Sequence, residues 1–234
     1  MIAILLSAGF GTRLRPLTNN LPKCLVKINN TCLLEIWLKK LSNCKQIKKI
    51  IINTHYKAKL VKKFVENSNY KNKVEIFYEE RLLGTAATLS ALSNKINYGS
   101  FLVIHSDNYL NFEVKDLMNA HKKRNTNCSM TMLTFRTKNS KECGTLTCNK
   151  YGVVNSYFEK KKTSLNLANG AIYICEFEII KHIKEHKIKD FSTGVIPYFI
   201  NKIQSYFYDG FFIDIGTPKK LNFLRNYLES KKLD

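Results

Sequence analysis

The sequence predicts an α/β fold: a mixed, mostly parallel sheet flanked by helices, with antiparallel strands added in the second half of the chain. Residues 2–6 form an unbroken apolar run, which is typical of a strand covered on both faces in a parallel sheet. Helical spacing and β-branched runs then alternate through the first half of the chain. In the second half, stretches in which apolar and polar residues alternate are joined by a turn sequence, which indicates antiparallel pairing.

The elements of the first half predict two consecutive βαβ units. Apolar residues at helical spacing predict a helix over 33–43, and a β-branched run predicts a strand over 48–53. The next elements are a helix near 57–68, a strand over 74–78, an alanine- and leucine-rich helix after Thr85, a strand over 101–107 and a helix near 113–124. The strand over 101–107 ends on Asp107, and ligands of open α/β sheets bind at the carboxyl ends of the strands. Asp107 is therefore a candidate for chemistry, with helix capping as the structural alternative.

The second half of the chain predicts antiparallel strands beside this sheet. Alternation of side chains along residues 128–136 predicts a strand there. The turn sequence 149–152 predicts a hairpin that pairs 145–147 with 153–158. The remaining elements are a strand over 168–174, helices over 176–185 and 192–201, a final hairpin over 205–215 that turns at Asp209 and Gly210, and a closing amphipathic helix. Asp190 or Ser192 is expected to cap the helix over 192–201.

Length and composition exclude several classes of protein. The 234 residues suffice for one α/β domain over 1–234, and 44% hydrophobic residues can supply its core. No apolar run approaches the ~20 residues of a membrane span, and the N-terminus lacks the features of a leader, so we expect a cytoplasmic protein without a membrane partner. Seven cysteines without a C-x-x-C pair predict buried, reduced thiols. The net charge of +20 is spread over helices, which favours a solvated surface over nucleic-acid binding.

The loop after the first strand is a candidate binding site for phosphate. Gly9 and Gly11 allow backbone N–H groups to approach an anion closely, and Arg13 and Lys23 add positive charge. The P-loop pattern is absent, and the dinucleotide-binding pattern fails because Leu14 replaces its third glycine. A strand followed by Gly-x-Gly is equally typical of a plain structural turn, so the loop does not identify a function by itself.

Four sequence motifs together resemble the sugar-1-phosphate nucleotidyltransferases. The motifs are the loop over 6–18 with Pro22-Lys23, Asp107 at the end of its strand, Glu159-Lys160, and Asp214-Ile215-Gly216-Thr217-Pro218. They occur in the family's order over nearly the whole chain. The chain is most similar to the short bacterial guanylyltransferases that act on mannose 1-phosphate or D-glycero-D-manno-heptose 1-phosphate. The resemblance implies a Rossmann-like fold of the nucleotide-diphospho-sugar transferase type, with a nucleotide-binding half over 1–125 and a sugar-phosphate-binding half over 126–234.

The resemblance further implies an enzyme that joins a nucleoside triphosphate, with GTP favoured, to the 1-phosphate of a manno-type hexose or heptose. The products would be an NDP-sugar and pyrophosphate, formed by in-line attack of the sugar phosphate on the α-phosphorus with Mg²⁺ as cofactor. Because the sugar phosphate is already an anion, the attack needs no general base. Positioning and charge neutralisation are sufficient, which agrees with the lack of a Ser/His/Asp set. We expect a monomer or a homodimer.

The resemblance also implies roles for individual residues. Arg13 would hold the departing pyrophosphate and Lys23 the triphosphate, and Asp107 and Asp214 would hold the Mg²⁺ ion. The nucleotide would be bound by Leu6, Ala8, Gly9, Gly11, Thr12, Arg13, Glu79, Gly84 and Thr85. The sugar phosphate would be bound by Asn108, Gly144, Glu159, Lys160 and Asn169. Exposed surface charge is the structural alternative for the basic residues, and a turn is the alternative for Gly144.

Glu79 is the candidate for recognition of guanine. It lies five residues before Gly84, where the resembled family places its base-reading side chain. An ionised carboxylate only accepts hydrogen bonds, and guanine offers two adjacent donors, N1–H and the exocyclic amine. Uracil, thymine and cytosine each set an acceptor against the carboxylate, and adenine has no N1–H. A solvated strand-end acid, equivalent to Glu80, is the alternative interpretation.

Several positions depart from the family's pattern or have no assigned role. Lys161 replaces the proline that usually follows Glu-Lys in the family, and His105 stands where glycine or asparagine is common. The other histidines are expected at the surface: His55, His121, His182 and His186. A cytidylyl-, uridylyl- or thymidylyltransferase and a catalytically silent nucleotide-binding module are the alternative functions.

Overall fold

The computed structural model describes residues 1–96 and 99–231. The described strands are β1 (Ile2–Leu6), β2 (Lys27–Ile28), β3 (Thr31–Cys32), β4 (Lys49–Thr54), β5 (Val74–Tyr78), β6 (Phe101–His105), β7 (Asn108–Leu110), β8 (Met130–Arg136), β9 (Gly144–Cys148), β10 (Val154–Glu159), β11 (Leu167–Cys175), β12 (Ile203–Phe207) and β13 (Phe212–Asp214). The α-helices are α1 (Leu33–Asn43), α2 (Ala58–Glu66), α3 (Thr85–Ala91), α4 (Ser93–Ile96), α5 (Val114–Lys122), α6 (Glu178–Glu185), α7 (Ile196–Tyr198) and α8 (Pro218–Ser230). None of the helices in this part of the chain is long and apolar enough to cross a membrane.

The chain divides into two compact units, each of which draws on separate segments. The amino-terminal unit comprises Ile4–Leu82, His105–Asn111 and Phe211–Asp234, and the central unit comprises Met1–Ala3, Leu83–Ile104 and Phe112–Gly210. Strands β1 and β6 contribute residues to both units. The single domain over 1–234 stays a prediction, and its expected halves, 1–125 and 126–234, do not coincide with the two units.

The amino-terminal unit contains strands in the order β1-β4-β5. β4 and β5 pair in parallel, from Ile50 beside Val74 to Thr54 beside Tyr78. The apolar centre of β1 is buried, as expected for a strand covered on both faces. α1 also turns an apolar face inward, which consists of Leu33, Leu34, Trp37, Leu38 and Leu41. The predicted elements over 2–6, 33–43 and 74–78 are therefore confirmed.

A short antiparallel ribbon completes the amino-terminal unit. β13 pairs with β7, so that Asp214 lies opposite Asn108. The closing helix α8 begins directly afterwards, and the Thr217 side chain caps it by accepting a hydrogen bond from the backbone N–H of Lys220. The ribbon brings a late segment of the chain to the end of β6, where Asp107 lies.

The central unit contains strands in the order β10-β9-β11-β6, and β8 pairs with both β11 and β12. β9 and β10 form the predicted hairpin around Asn149, whose side-chain oxygen accepts hydrogen bonds from the backbone N–H groups of Tyr151 and Val153. β11 pairs antiparallel with β6, β8 and β9, and its register with β8 shifts between Asn169 and Tyr173. These pairings confirm the antiparallel strands predicted for the second half of the chain.

The predicted final hairpin over 205–215 is wrong. β12 pairs in parallel with β8, starting with Ile203 beside Met130, whereas β13 pairs with β7. Asp209 and Gly210 do supply a turn sequence, but turn propensity acts over only a few residues. Both Ile203 and Met130 are fully buried in the observed pairing, and an isolated two-stranded hairpin offers no comparable burial.

The predicted helix over 192–201 is shorter and irregular. A π-helical turn covers Phe191–Val195 and leads into α7, which has a proline in its first turn. Because Pro197 has no backbone N–H, a regular α-helical ladder cannot run through this segment. Asp190 is the cap, since its Oδ1 accepts a hydrogen bond from the backbone N–H of Thr193 at 2.9 Å. The other predicted elements are present with small differences at their ends.

The cysteine prediction is confirmed only in part. All seven cysteines lie among the described residues and are free thiols. Four are buried: Cys24, Cys32, Cys128 and Cys175. The expectation of burial is wrong for the remaining three, Cys44, Cys143 and Cys148, which are partly exposed.

Candidate active site

A charged cluster in the amino-terminal unit consists of Lys23, Asp107 and Asp214. Lys23 Nζ lies 2.6 Å from Asp107 Oδ2 and 3.4 Å from Asp214 Oδ1. The β7–β13 ribbon positions Asp214 opposite Asn108, the residue that follows Asp107 in the chain. The Lys23 side chain is only 16% exposed, whereas the side chains of Asp107 and Asp214 are 34% and 30% exposed. Both carboxylates are therefore accessible to a ligand.

The surroundings of Asp107 favour its ionised form. Burial by itself would raise the pKa of this carboxyl group. The interactions with Lys23 and His105, together with the hydrogen bond from Lys23, outweigh burial and lower the pKa of Asp107 below its usual range. Asp107 is consequently an anion at neutral pH.

Arg13 and Lys220 add positive charge beside Asp214. Lys220 Nζ lies 3.9 Å from Asp214 Oδ2. A Cβ atom on Gly216 would lie 2.8 Å from Arg13 Nη2 and 2.9 Å from Asp214 Oδ2, which is closer than real Cβ contacts allow. A glycine at this position therefore lets the Arg13 guanidinium and the Asp214 carboxylate occupy the same small region.

The pair of carboxylates has the chemistry of a site for Mg²⁺. Among the described residues, no group of three or more His, Cys, Asp or Glu side chains could enclose a metal ion. Asp107 and Asp214 nevertheless converge on a single cationic group, Lys23 Nζ. Mg²⁺ is usually held by one or two carboxylates, with phosphates and water as the remaining ligands. These two acids are thus the residues that would hold the ion.

The glycine loop is organised around Gly11. This residue has a φ of 65°, and a Cβ atom would lie 3.0 Å from Thr18 Cγ2 and 3.1 Å from Lys23 Cβ. Thr18 Oγ1 also donates a hydrogen bond to Gly11 O at 2.8 Å. Glycine therefore allows the loop to pack against Lys23. Gly9 differs, because a Cβ atom there would meet nothing within 4 Å, so this position is open space.

The remaining loop residues that were predicted to bind nucleotide have different environments. Leu6 O accepts hydrogen bonds from Ser106 N at 3.2 Å and from Ser106 Oγ at 2.8 Å. Ala8 is buried, whereas Thr12 and Arg13 are exposed on a short 3₁₀ turn, Thr12–Leu14. The positively charged part of the loop is thus exposed, as are the apolar side chains of Phe10 and Leu17.

Glu79 belongs to a buried hydrogen-bonded chain at the ends of β1, β4 and β5. Asn53 Oδ1 accepts a hydrogen bond from Ser7 N at 2.7 Å, and Asn53 Nδ2 donates to Glu79 Oε1 at 2.8 Å. His55 Nδ1 lies 2.9 Å from Glu79 O. Glu79 is 2% exposed, whereas Glu80 is exposed, so the interpretation of Glu79 as a solvated acid equivalent to its neighbour is wrong. Asn53 was not among the predicted site residues.

Gly84 and Thr85 belong to the central unit and have packing roles there. Gly84 has a φ of 102°, and a Cβ atom would lie 2.5 Å from Lys189 O. Thr85 Oγ1 accepts a hydrogen bond from Phe191 N at 2.8 Å and donates to Asp190 Oδ2 at 3.2 Å. The start of α3 is therefore attached to residues 189–191, and nucleotide binding by Gly84 and Thr85 stays a prediction.

Three of the predicted sugar-phosphate residues surround Tyr157 in the central unit. The Tyr157 hydroxyl donates to Glu159 Oε2, and Asn169 Nδ2 lies 3.4 Å from the same hydroxyl. A Cβ atom on Gly144 would lie 2.1 Å from the Tyr157 hydroxyl oxygen, so only glycine accommodates the ring. Burial, followed by the hydrogen bond to Glu159, raises the pKa of Tyr157 above its usual range and keeps the phenol protonated. Sequence reasoning missed Tyr157, although its position two residues before Glu159 on one strand places both side chains on the same face.

Lys160 and Asn108 lie outside this Tyr157 cluster. Lys160 is 66% exposed, and its Nζ lies 3.5 Å from Glu159 Oε1. Lys161 is exposed as well, beside Lys160. Asn108 belongs to the amino-terminal unit, where it is buried and its backbone oxygen accepts a hydrogen bond from Trp37 Nε1 at 3.0 Å. Sugar-phosphate binding by Lys160 and Asn108 stays a prediction.

The expectation of surface histidines is wrong for His121 and His182. His121 is 3% exposed and His182 is 7% exposed. His121 Nδ1 lies 2.8 Å from Thr131 Oγ1, and its Nε2 lies 3.0 Å from Glu176 Oε1. The residues beside His121 in the chain gave no signal that Thr131 and Glu176, on other elements, would be its partners.

Comparison with known proteins places these observations in a family. Residues 2–230 match the Nucleotidyl transferase family. The chain is 32% identical over 227 residues to the mannose-1-phosphate guanylyltransferase catalytic subunit beta of Drosophila pseudoobscura pseudoobscura, which covers 93% of this chain and 59% of that protein. It is 28% identical over 229 residues to the mannose-1-phosphate guanyltransferase of Schizosaccharomyces pombe, which covers 94% of this chain and 62% of that protein. The chain thus spans less than two thirds of the length of these relatives.

Solved structures share the fold. HddC from Yersinia pseudotuberculosis, complexed with GMP-PN, superposes with a TM-score of 0.81 at 24% identity over 97% of this chain and 99% of that one. A UDP-glucose pyrophosphorylase complexed with UDP-glucose superposes with a TM-score of 0.83 at 17% identity over 98% of each chain. The predicted fold class is therefore confirmed, as is the resemblance drawn from the motifs: the chain belongs to the nucleotidyl transferase family.

Proposed function

We propose that this chain is a sugar-1-phosphate nucleotidyltransferase that transfers GMP from GTP to the 1-phosphate of a manno-type hexose or heptose. The observation that carries the proposal is the cluster of Lys23, Asp107 and Asp214 beside the Gly11 loop, in a chain of this family. The names of the curated relatives, which are mannose-1-phosphate guanylyltransferases, support guanine and mannose over other bases and sugars.

Catalysis in this proposal depends on positioning and on charge. An anionic oxygen of the sugar phosphate forms a bond to the α-phosphorus, and the bond from that phosphorus to the leaving pyrophosphate breaks. Lys23 and Arg13 neutralise the negative charge of the triphosphate and of the departing pyrophosphate. Asp107 and Asp214 would hold Mg²⁺, which neutralises phosphate charge when it is bound. No side chain has to remove a proton from the attacking oxygen.

Substrate selection in this proposal comes from the polar side chains already described. The Glu79 carboxylate would accept hydrogen bonds from guanine N1–H and from the exocyclic amine. Glu159 would accept hydrogen bonds from sugar hydroxyls, and Lys160 would contact the sugar phosphate. A mispaired base leaves a buried polar group unsatisfied, which costs roughly 1–3 kcal/mol for a neutral group and more for a charged group such as a carboxylate. GTP should therefore exceed UTP by at least about tenfold in kcat/KM.

The test is a screen for pyrophosphate release with Mg²⁺. GTP, UTP, dTTP, CTP and ATP are each combined with mannose 1-phosphate, a manno-heptose 1-phosphate and glucose 1-phosphate. We expect GTP with a manno-type sugar to give the highest kcat/KM. Reactions without sugar phosphate measure background hydrolysis. Equal use of UTP, dTTP or CTP would remove guanine recognition, and no pyrophosphate from any pair would remove the proposed function.

A further inference from the structure

Asn53 connects the glycine loop to the candidate base-reading acid, and its orientation is determined by chemistry. A backbone N–H group can only donate, so the atom of Asn53 that faces Ser7 N must be the amide oxygen. The amide nitrogen consequently faces Glu79 Oε1, to which it donates at 2.8 Å. Asn53 is 3% exposed and Glu79 is 2% exposed, so water does not compete freely for these hydrogen bonds.

Ser7 is held from a second side as well. Ser7 Oγ donates to Ser106 Oγ at 2.8 Å, and Ser106 Oγ donates to Leu6 O at 2.8 Å. Ser106 directly precedes Asp107, one of the two acids of the charged cluster. Through Ser7, the loop is thus tied both to the strand end that carries Asn53 and to the strand end that carries Asp107.

We propose that Asn53 is a positioning residue that orients the Glu79 carboxylate relative to the glycine loop and thereby sets the preference for guanine. The inference rests on the proposed reading of guanine by Glu79. Buried hydrogen bonds to a charged group are directional and hold that group in one orientation. Without the donor from Asn53, the Glu79 carboxylate loses the hydrogen bond through which Asn53 connects it to the loop, and its alignment with two adjacent donors of the base changes.

Three substitutions separate this role from general stability. Asn53→Asp keeps an acceptor for Ser7 N–H but replaces the donor toward Glu79 by a second carboxylate oxygen. Asn53→Ser removes the amide donor that faces Glu79 and leaves only a shorter hydroxyl, without adding charge. It serves as the second variant if repulsion in Asn53→Asp prevents folding. Thr54→Val is the matched control, because Thr54 is adjacent and fully buried, and its Oγ1 has no hydrogen-bond partner among the described residues.

The measurement is the ratio of the dissociation constants for UTP and GTP, determined by titration calorimetry with Mg²⁺ and no sugar phosphate. In the wild type we expect a ratio of at least about ten, which is the preference attributed to a buried polar contact. Asn53→Asp and Asn53→Ser should bring the ratio close to that of Glu79→Gln, and Thr54→Val should keep the wild-type ratio. A pure loss of stability would weaken both nucleotides equally and leave the ratio unchanged.

The outcomes distinguish this inference from the proposed function. A folded Asn53→Ser or Asn53→Asp variant with the wild-type ratio would overturn the role of Asn53, even if the enzyme is a guanylyltransferase. Equal affinity of the wild type for GTP and UTP would overturn it too. A wild-type preference for GTP that disappears in the Asn53 variants supports the inference, even if the screen for pyrophosphate release finds no substrate pair.

Discussion

The charged cluster around Lys23 and the polar cluster around Tyr157 differ in the charges of the groups that contact one another. Lys23 is held against two carboxylates, and these contacts favour the ionised form of Asp107 despite its partial burial. In the Tyr157 cluster, Glu159 instead accepts a hydrogen bond from a neutral phenol that burial keeps protonated, and the cationic group beside it, Lys160, is largely exposed. Under the proposed function, the first arrangement would hold phosphate and a metal ion, and the second would hold the hydroxyl groups of a sugar.

The two clusters also differ in how far apart their members lie in the chain. Lys23 is separated from Asp107 by 84 residues and from Asp214 by 191 residues. Tyr157 is separated from Glu159 by 2 residues and from Asn169 by 12 residues. The charged cluster therefore depends on long-range strand pairing, whereas the polar cluster depends mostly on one hairpin and the strand beside it. Substitutions in the two clusters should accordingly have different kinetic effects.

The largest expected effect is on turnover, from loss of either acid of the charged cluster. Asp107→Asn and Asp214→Asn should each lower kcat by about 10²–10³, because each removes one electrostatic stabiliser of the transition state. Pyrophosphate release at saturating Mg²⁺ measures the effect. Asp209→Asn, which changes an exposed acid outside the cluster, is the control and should retain wild-type turnover. Near-normal turnover of both cluster variants would show that these acids do not hold the ion.

The next effect is on the choice of base and leaves the charged cluster unchanged. Glu79→Gln should reduce the preference for GTP over UTP in kcat/KM by about tenfold, because an amide nitrogen cannot accept a hydrogen bond from guanine. Mg²⁺ dependence should remain that of the wild type. Glu80→Gln changes the exposed neighbour and provides the matched control. An unchanged preference in Glu79→Gln would assign base selection to other residues.

A third prediction tests whether Lys160 acts on the sugar phosphate. Lys160→Ala should raise KM for the sugar 1-phosphate by about tenfold with little change in KM for GTP, since a charged hydrogen bond to phosphate would be lost. Steady-state kinetics with varied sugar phosphate measure this separation. Lys162→Ala is the control, because it removes an exposed lysine from the same run. Equal effects of the two substitutions would indicate general surface charge.

Tyr157→Phe should have a smaller effect that is confined to the sugar. The ring remains packed on Gly144, but Glu159 loses one hydrogen-bond donor, so we expect KM for the sugar phosphate to rise by about threefold to tenfold. The GTP preference should stay that of the wild type. Tyr151→Phe removes an exposed hydroxyl from the same hairpin and serves as the control. A change in GTP preference in Tyr157→Phe would contradict the division of roles between the clusters.

The smallest expected effect is on the free energy of unfolding. It tests whether a second buried group of the central unit, His121, is also held in its neutral form. Burial, assisted by the charge of Arg124, lowers the pKa of His121 below its usual value, although Glu176 opposes the shift. The neutral form is therefore favoured in the folded state, and its contribution to stability is present above the unfolded pKa of about 6.5 and lost as pH falls below it. Urea unfolding should give a lower free energy of unfolding at about pH 5.5 than at about pH 7.5, with a smaller decrease in His121→Gln. His186→Gln, at an exposed histidine, should retain the wild-type decrease.

The sequence by itself determined the local features of this protein. Periodicity identified β1, α1 and β5 with their observed ends, and turn chemistry identified the hairpin of β9 and β10. The motifs were sufficient to recognise the family. These signals succeed because hydrophobic periodicity and turn preference depend on residues within a few positions of each other.

Only the tertiary structure decided which distant segments meet and which polar groups are buried. It paired β12 with β8 instead of the adjacent β13, and it brought Asp214 to Asp107 through a ribbon of three-residue strands that are too short to show a periodic pattern. It also buried Glu79 against Asn53. Burial and long-range pairing are set by the summed packing of many elements, so the residues of one segment do not reveal the partner that will satisfy them.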